Sequence, residues 1–202
     1  MPPEQAIMWA WLAWVLSWLA AAPWSKRTAK RAGSGSELAH SLVTSVGLFL
    51  LFSSANPSAA WAPATWRFDA AALQLWSPPD VIGWGLTAAA ILGFGVCWWA
   101  RLHLGPLWSG RVMRKEDHRV VETGPYVLVR HPIYTGLIMA SVATALLKGS
   151  VLNLAGAVLV IAGLWMKARL EERFLRSELG PDAYGTYAAR VPMLVPRPPR
   201  RN

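Results

Sequence analysis

The densest polar stretch of the chain is His118-Arg119-Val120-Val121-Glu122-Thr123-Gly124-Pro125-Tyr126, followed closely by Arg130-His131-Pro132-Ile133-Tyr134. Thr123-Gly124-Pro125 is a turn signal, and Pro132 suits the first turn of a helix. His131 therefore falls near an N-cap, with Arg130 just outside it. Unpaired N–H groups at a helix N-terminus, flanked by Arg and His, offer a seat to an anionic group such as a carboxylate. The same two side chains would also serve simply to anchor a helix end among lipid headgroups. A second cluster, Lys167-Ala168-Arg169-Leu170-Glu171-Glu172-Arg173, puts Arg169 and Glu172 on one helical face at i, i+3; taken alone it reads as a solvated, salt-bridged helix end.

The elements that hold these clusters are apolar helices. Of the 202 residues 54% are hydrophobic and 15% charged, well below the quarter charged that soluble domains carry, which places the chain in lipid. Many of the 13 Trp lie near the ends of apolar runs (Trp9, Trp24, Trp61, Trp66, Trp76), where an amphipathic ring suits the headgroup region. The first apolar run, Gln5 to Ser25, has no Lys or Arg before it, the reverse of a cleavable signal's basic leader. Leu38 to Trp66, interrupted by a turn-like stretch from Ser53 to Pro63, is the second, and Val81 to Ala100 the third. The third begins at Ser77-Pro78-Pro79-Asp80, where Ser would cap and Pro would fill the first turn.

Ile133 to Leu147 and Val151 to Met166 are separated only by Lys148-Gly149-Ser150, a connection short enough to force an antiparallel helical hairpin. These last runs hold 15 and 16 residues, too few at about 1.5 Å each for a hydrocarbon layer of roughly 30 Å. The fifth helix is therefore expected to run on past Lys167 through Glu171 and Glu172. The expected fold is all-α, a polytopic membrane protein of about five transmembrane helices, with three N-terminal spans in 1–110 and the chemistry in 111–202.

The net charge of +9 reflects topology rather than nucleic-acid binding, because 18 of the 20 Lys and Arg fall between alternate spans on one face; Arg67 and Lys148 are the other two. This orientation puts the N-terminus outside and the C-terminus in the cytoplasm, with the site facing the cytoplasm. The single cysteine, Cys97, lies inside an apolar run and excludes an intrachain disulfide. The four histidines, His40, His103, His118 and His131, lack the spacing of a metal site. His40 and His103 read as interfacial, and the basic tail from Arg197 reads as attracted to anionic lipid.

Five short motifs recur here in order: Gly124-Pro125-Tyr126, Arg130-His131-Pro132-Ile133-Tyr134, Glu171-Glu172, Tyr184-Gly185-Thr186-Tyr187 and Arg190-Val191-Pro192. Together they resemble the isoprenylcysteine carboxyl methyltransferase family and its phospholipid methyltransferase relatives, from near His118 to Pro196. The resemblance implies an S-adenosylmethionine pocket lined by His118, Val121, Tyr126, Arg130, His131, Pro132 and Tyr134. It also implies an Arg that holds the acceptor's carboxylate and a Glu that binds the cofactor's amino end, matched best by Arg169 and Glu172, with Glu171 still a candidate. A family Gln upstream of His118 has Arg111 in its place.

The chemistry so implied is methyl transfer from a sulfonium, an in-line displacement that depends on positioning more than on acid or base power. A carboxylate acceptor is already ionised and needs only orientation and an apolar path for its lipid tail, so the expected acceptor is an isoprenylcysteine or similar lipophilic small molecule. An amine acceptor, as in phospholipid ethanolamine methylation, would need Glu171, Glu172 or His131 to take a proton. A thiol acceptor and a nicotinamide-dependent membrane reductase are further alternatives. A transporter would instead carry polar groups near the bilayer midplane and paired repeats.

Overall fold

The computed structural model describes residues 1–24, 28–31, 34–53, 73–105, 113–115, 121–179 and 181–197. Among them lie the helices α1 (Pro3–Ala20), α2 (Ser34–Phe52), α3 (Asp80–Leu104), α4 (Pro132–Lys148), α5 (Val151–Leu179) and α6 (Pro181–Arg190). A 3-10 turn, Gly124–Val127, leads into α4. The fold is mainly helical, as composition requires, with one addition that the apolar pattern does not reveal. Two short strands, β1 (Thr28–Arg31) and β2 (Met113–Lys115), pair antiparallel and tie the α1–α2 connection to the α3–α4 connection.

Two helices are long and apolar enough to cross a membrane: α3, and α5 over Val151–Ser177. The 25 residues of α3 span roughly 37 Å at the α-helical rise. Glu37–Phe52 and Pro132–Lys148 are shorter apolar helices. As its short apolar run demands, α5 continues unbroken through Lys167, Glu171 and Glu172. The start of α3 differs from the expected capping by Ser77. The helix begins at Asp80, Pro79 occupies the N-cap, and no side chain caps it. Ser77 and Pro78 each precede a proline, which drives both toward extended backbone and delays the helix.

Small residues decide how the helices meet. A Cβ on Gly93 of α3 would stand 2.5 Å from the carbonyl oxygen of Gly136 on α4, and one on Gly136 would strike the Gly93 carbonyl in return. Between α2 and α5, a Cβ on Gly47 would come within 2.7 Å of the Val160 nitrogen. Backbones brought this close gain van der Waals contact, which must serve between helices whose other solvent is lipid tails. α1 closes the bundle through aromatic packing: the Trp11 ring meets Phe94 edge-on at 4.8 Å and Phe52 at 5.3 Å, while its Nε1 donates to Thr144 Oγ1 at 2.9 Å.

The α4–α5 hairpin turns at Gly149, whose φ of 65° is open to glycine and strained for other residues. Asn153, fully buried at the start of α5, donates from Nδ2 to the carbonyls of Leu51 at 2.9 Å and of Leu50 and Ser53 at 3.1 Å. One amide thus satisfies carbonyls that the end of α2 leaves without helical partners. The bundle is latched at this end, and the polar clusters gather at the other.

Candidate functional site

The Arg130-His131-Pro132 segment forms the local structure its sequence predicts. His131 is the N-cap of α4, its backbone (φ −126°, ψ 64°) outside the helical region that a following proline disfavours, and the buried Pro132 fills the first helical position. Just upstream, Gly124 opens the 3-10 turn at φ 59°, with the His103 ring packed where a Cβ would stand. That turn buries Tyr126, whose hydroxyl reaches the Ala100 carbonyl of α3 at 3.5 Å.

The C-terminal segment returns to cover this corner. The Arg130 and His131 amides donate to the carbonyls of Pro192 at 2.9 Å and Met193 at 3.1 Å. Thr135 Oγ1 donates to the Leu194 carbonyl at 2.7 Å, and Tyr187 Oη of α6 donates to the Tyr126 carbonyl at 2.8 Å. Burial pushes the Tyr187 hydroxyl up to about 12, against the pull of Arg130, so it keeps its donor proton at neutral pH.

Side chains from α4, α5 and α6 then converge. Arg130 Nε donates to Glu172 Oε1 at 2.7 Å, and its Nη1 donates to the carbonyls of Ala188, at 2.7 Å, and Val191. His131 lies between both acids, with Nε2 3.3 Å from Glu172 Oε1 and Nδ1 3.5 Å from Glu171 Oε2. Burial works to lower the His131 pKa, but the two carboxylates outweigh it and hold it above the ordinary imidazole value. The imidazolium form donates from both ring nitrogens.

Tyr134 completes the cluster one turn into α4. Its hydroxyl donates to Glu171 Oε1 at 2.6 Å, and its ring stacks on His131 with centroids 5.4 Å apart and planes 5° from parallel. The Lys167 ammonium stands 5.5 Å from the centre of that ring. Glu172 is the more enclosed acid at 5% exposure, committed to Arg130, whereas the side chain of Glu171 is 19% exposed.

Of the residues singled out in the sequence, Tyr126, Arg130, His131, Pro132, Tyr134, Glu171 and Glu172 thus come together around one corner. Val121 is half-buried ahead of the 3-10 turn, and His118 and Arg111 lie outside the described residues. Arg169 is exposed, with its guanidinium 5.1 Å from the centre of the exposed Trp165 ring. Sequence reasoning passed over Lys167, although its place one turn before Glu171 on the same face was a signal. It quoted Tyr187 as part of a motif without giving it a role.

The sequence model of the isoprenylcysteine carboxyl methyltransferase (ICMT) family matches residues 86–177. A protein-S-isoprenylcysteine O-methyltransferase B from Arabidopsis thaliana is 36% identical over 87 residues, covering 43% of this chain and 44% of the relative. A protein-S-isoprenylcysteine O-methyltransferase from Schizosaccharomyces pombe is 34% identical over 87 residues, covering 41% of this chain and 35% of the relative. The chain thus spans less than half the length of the curated relatives it matches.

Proposed function

We propose, from the match of residues 86–177 to the isoprenylcysteine carboxyl methyltransferase family, that the protein is an integral membrane S-adenosylmethionine-dependent methyltransferase that esterifies the carboxylate of an isoprenylcysteine or a similarly lipophilic acceptor. The single observation that carries the reading is the Tyr134–Glu171–His131 arrangement, with both Glu171 and the Tyr134 hydroxyl held at the corner where the family motifs converge.

The residues present suit the cofactor. Glu171 offers a half-open carboxylate to an ammonium, and the buried Tyr126 and Tyr134 supply apolar and hydrogen-bonding wall. Arg130, Pro132 and Val121, with His118, frame the same pocket in this reading. When bound, the cofactor supplies an electrophilic sulfonium methyl. Glu172 serves differently: locked to Arg130 and His131, it is the brace that keeps the pocket walls in register. Arg169, exposed beside Trp165 on α5, is in this reading the cation that takes the carboxylate of an acceptor arriving from the bilayer. Such an acceptor is ionised already, so no proton acceptor is needed; an amine acceptor would require one, and the two acids beside His131 favour its charged form over the neutral base.

The wider arrangement in this reading is about five spans, the first three within 1–110, with the methyltransferase region in 111–202 and the site on the cytoplasmic side. The β1–β2 pairing supports it, because two connections separated by an even number of membrane crossings must emerge on the same face.

The test is calorimetry of S-adenosylmethionine and S-adenosylhomocysteine with the detergent-purified protein, comparing wild type, His131→Ala and Tyr134→Phe. Binding by wild type that both substitutions weaken, with methyl transfer to a farnesylated cysteine, is the expected result. Absence of binding by a folded wild-type protein would remove the reading.

A further inference from the structure

We propose that the β1–β2 ribbon is a docking surface for the anionic headgroups of membrane phospholipids. Its strands read Thr28-Ala29-Lys30-Arg31 and Met113-Arg114-Lys115, so four of their seven residues are cationic and none is acidic. Lys26 and Arg27 directly precede β1, and Arg111 lies just ahead of β2; Glu116 and Asp117 follow Lys115 outside both strands. Topological bias accounts for basic residues in the connections on one face, but it does not require that they be paired across a sheet.

The register makes that pairing unfavourable. Lys30 stands opposite Arg114, about 5 Å away in an antiparallel pair, and like charges directly opposite each other weaken a ladder. Two strands alone are marginal in water even without repulsion. A phosphate set between the two cations turns the repulsion into attraction, because its oxygens accept charge-assisted hydrogen bonds from both.

Position supplies the occupant. β1 joins α1 to α2 and β2 joins α3 to α4, so four ends of apolar helices hold the ribbon at the headgroup layer, where a cationic cluster beside a span draws anionic lipid. It lies at the end of the bundle that carries the His131 corner, with β2 against α5. Glu122, Glu171 and Glu172 of that end are committed to Arg190, Tyr134 and Arg130. The surface requires nothing of the methyltransferase reading, and its test measures no turnover.

The experiment equilibrates the full chain in micelles holding equimolar phosphatidylglycerol and phosphatidylcholine, repurifies it, and quantifies the retained lipids by mass spectrometry. Wild type is expected to retain phosphatidylglycerol over phosphatidylcholine by about threefold or more at roughly 0.05 M salt, a preference at least halved at roughly 0.5 M. Lys30→Gln combined with Arg114→Gln should halve it at low salt, whereas Arg200→Gln combined with Arg201→Gln, in the basic tail, should leave it nearly intact. Inorganic phosphate at matched ionic strength should not displace the lipid. If the ribbon pair of substitutions abolishes the monodisperse peak in size-exclusion chromatography, Arg114→Gln alone is expected to lower the preference, and the salt series needs no variant. A wild type without preference, a preference that the tail substitutions lower as much as the ribbon substitutions, or one that inorganic phosphate abolishes would each overturn the surface, the last by assigning its cations to a free anion.

Discussion

Arg130 and Glu172 meet across 42 residues of chain, Nε donating to Oε1 at 2.7 Å, with both side chains nearly enclosed. The contact joins the residue before the α4 cap to the C-terminal extension of α5, and the same guanidinium also gathers the carbonyls at the end of α6. One cation thereby fixes three elements around His131.

Removing that cation should leave Glu172 charged and enclosed. Arg130→Met is expected to cost roughly 3 kcal/mol, about 6 to 12 °C in Tm for a chain of this size. Adding Glu172→Gln should return part of the loss, because the stranded charge is then gone. Thermal unfolding of the two variants in detergent checks both steps, and a single variant as stable as wild type would contradict the bracing role.

The His131 imidazolium ties stability to pH. Its folded pKa lies above the ordinary 6.5, so its contribution is fully present below about 6.5 and is lost as pH rises through the folded value. Between pH 6 and 9 the wild-type Tm should fall by a few degrees, and His131→Gln should lower the Tm at pH 6 while flattening that slope. A Tm slope unchanged by the substitution would place the dependence elsewhere.

Packing between α3 and α4 has no room at Gly136. A valine there must push against the Gly93 carbonyl and Cys97, and the variant is expected to lose its monodisperse peak in size-exclusion chromatography. Gly85, on the same α3, has nothing within 4 Å of an added Cβ. Gly85→Ala should keep the peak and match or slightly exceed wild type in Tm, by up to about 1 kcal/mol from helix propensity. The contrast separates a crowding effect from a general dislike of substitution.

Arg169 is exposed and braces nothing in the cluster. Arg169→Ala should therefore leave Tm within about 2 °C and S-adenosylhomocysteine affinity within about twofold, surface substitutions being near neutral, yet raise the acceptor KM about tenfold. Steady-state methylation of a farnesylated cysteine, run beside calorimetry, distinguishes this from a cofactor-binding role, which would weaken the affinity instead.

Much of this architecture could be read from residue order. The apolar runs lie within or overlap α1 to α5, the Lys148-Gly149-Ser150 link marks the hairpin, and Pro132 marks the start of α4, because each is a local signal: hydropathy over one helix length, a turn too short for anything but reversal, a ring that locks φ. The polar residues of the corner were legible too, since apolar spans leave charged motifs few places to gather. Residue order alone, through these local rules, gives a mainly helical chain of apolar elements with its polar motifs gathered at one end.

What only the tertiary structure decided is how those motifs divide the work. Glu171 and Glu172 are adjacent and chemically identical, and the 100° step between them on α5 gives one to Tyr134 and the other to Arg130. Lys167 and Arg169, two residues and so about 200° apart around α5, are likewise separated, Arg169 beside exposed Trp165 and Lys167 over the Tyr134 ring. The β1–β2 pairing and the approach of His40 to α5 depend on connections distant in sequence. Helix rotation and long-range docking are set by glycine contacts and buried hydrogen bonds between elements, and such terms have no local signature for a sequence to display.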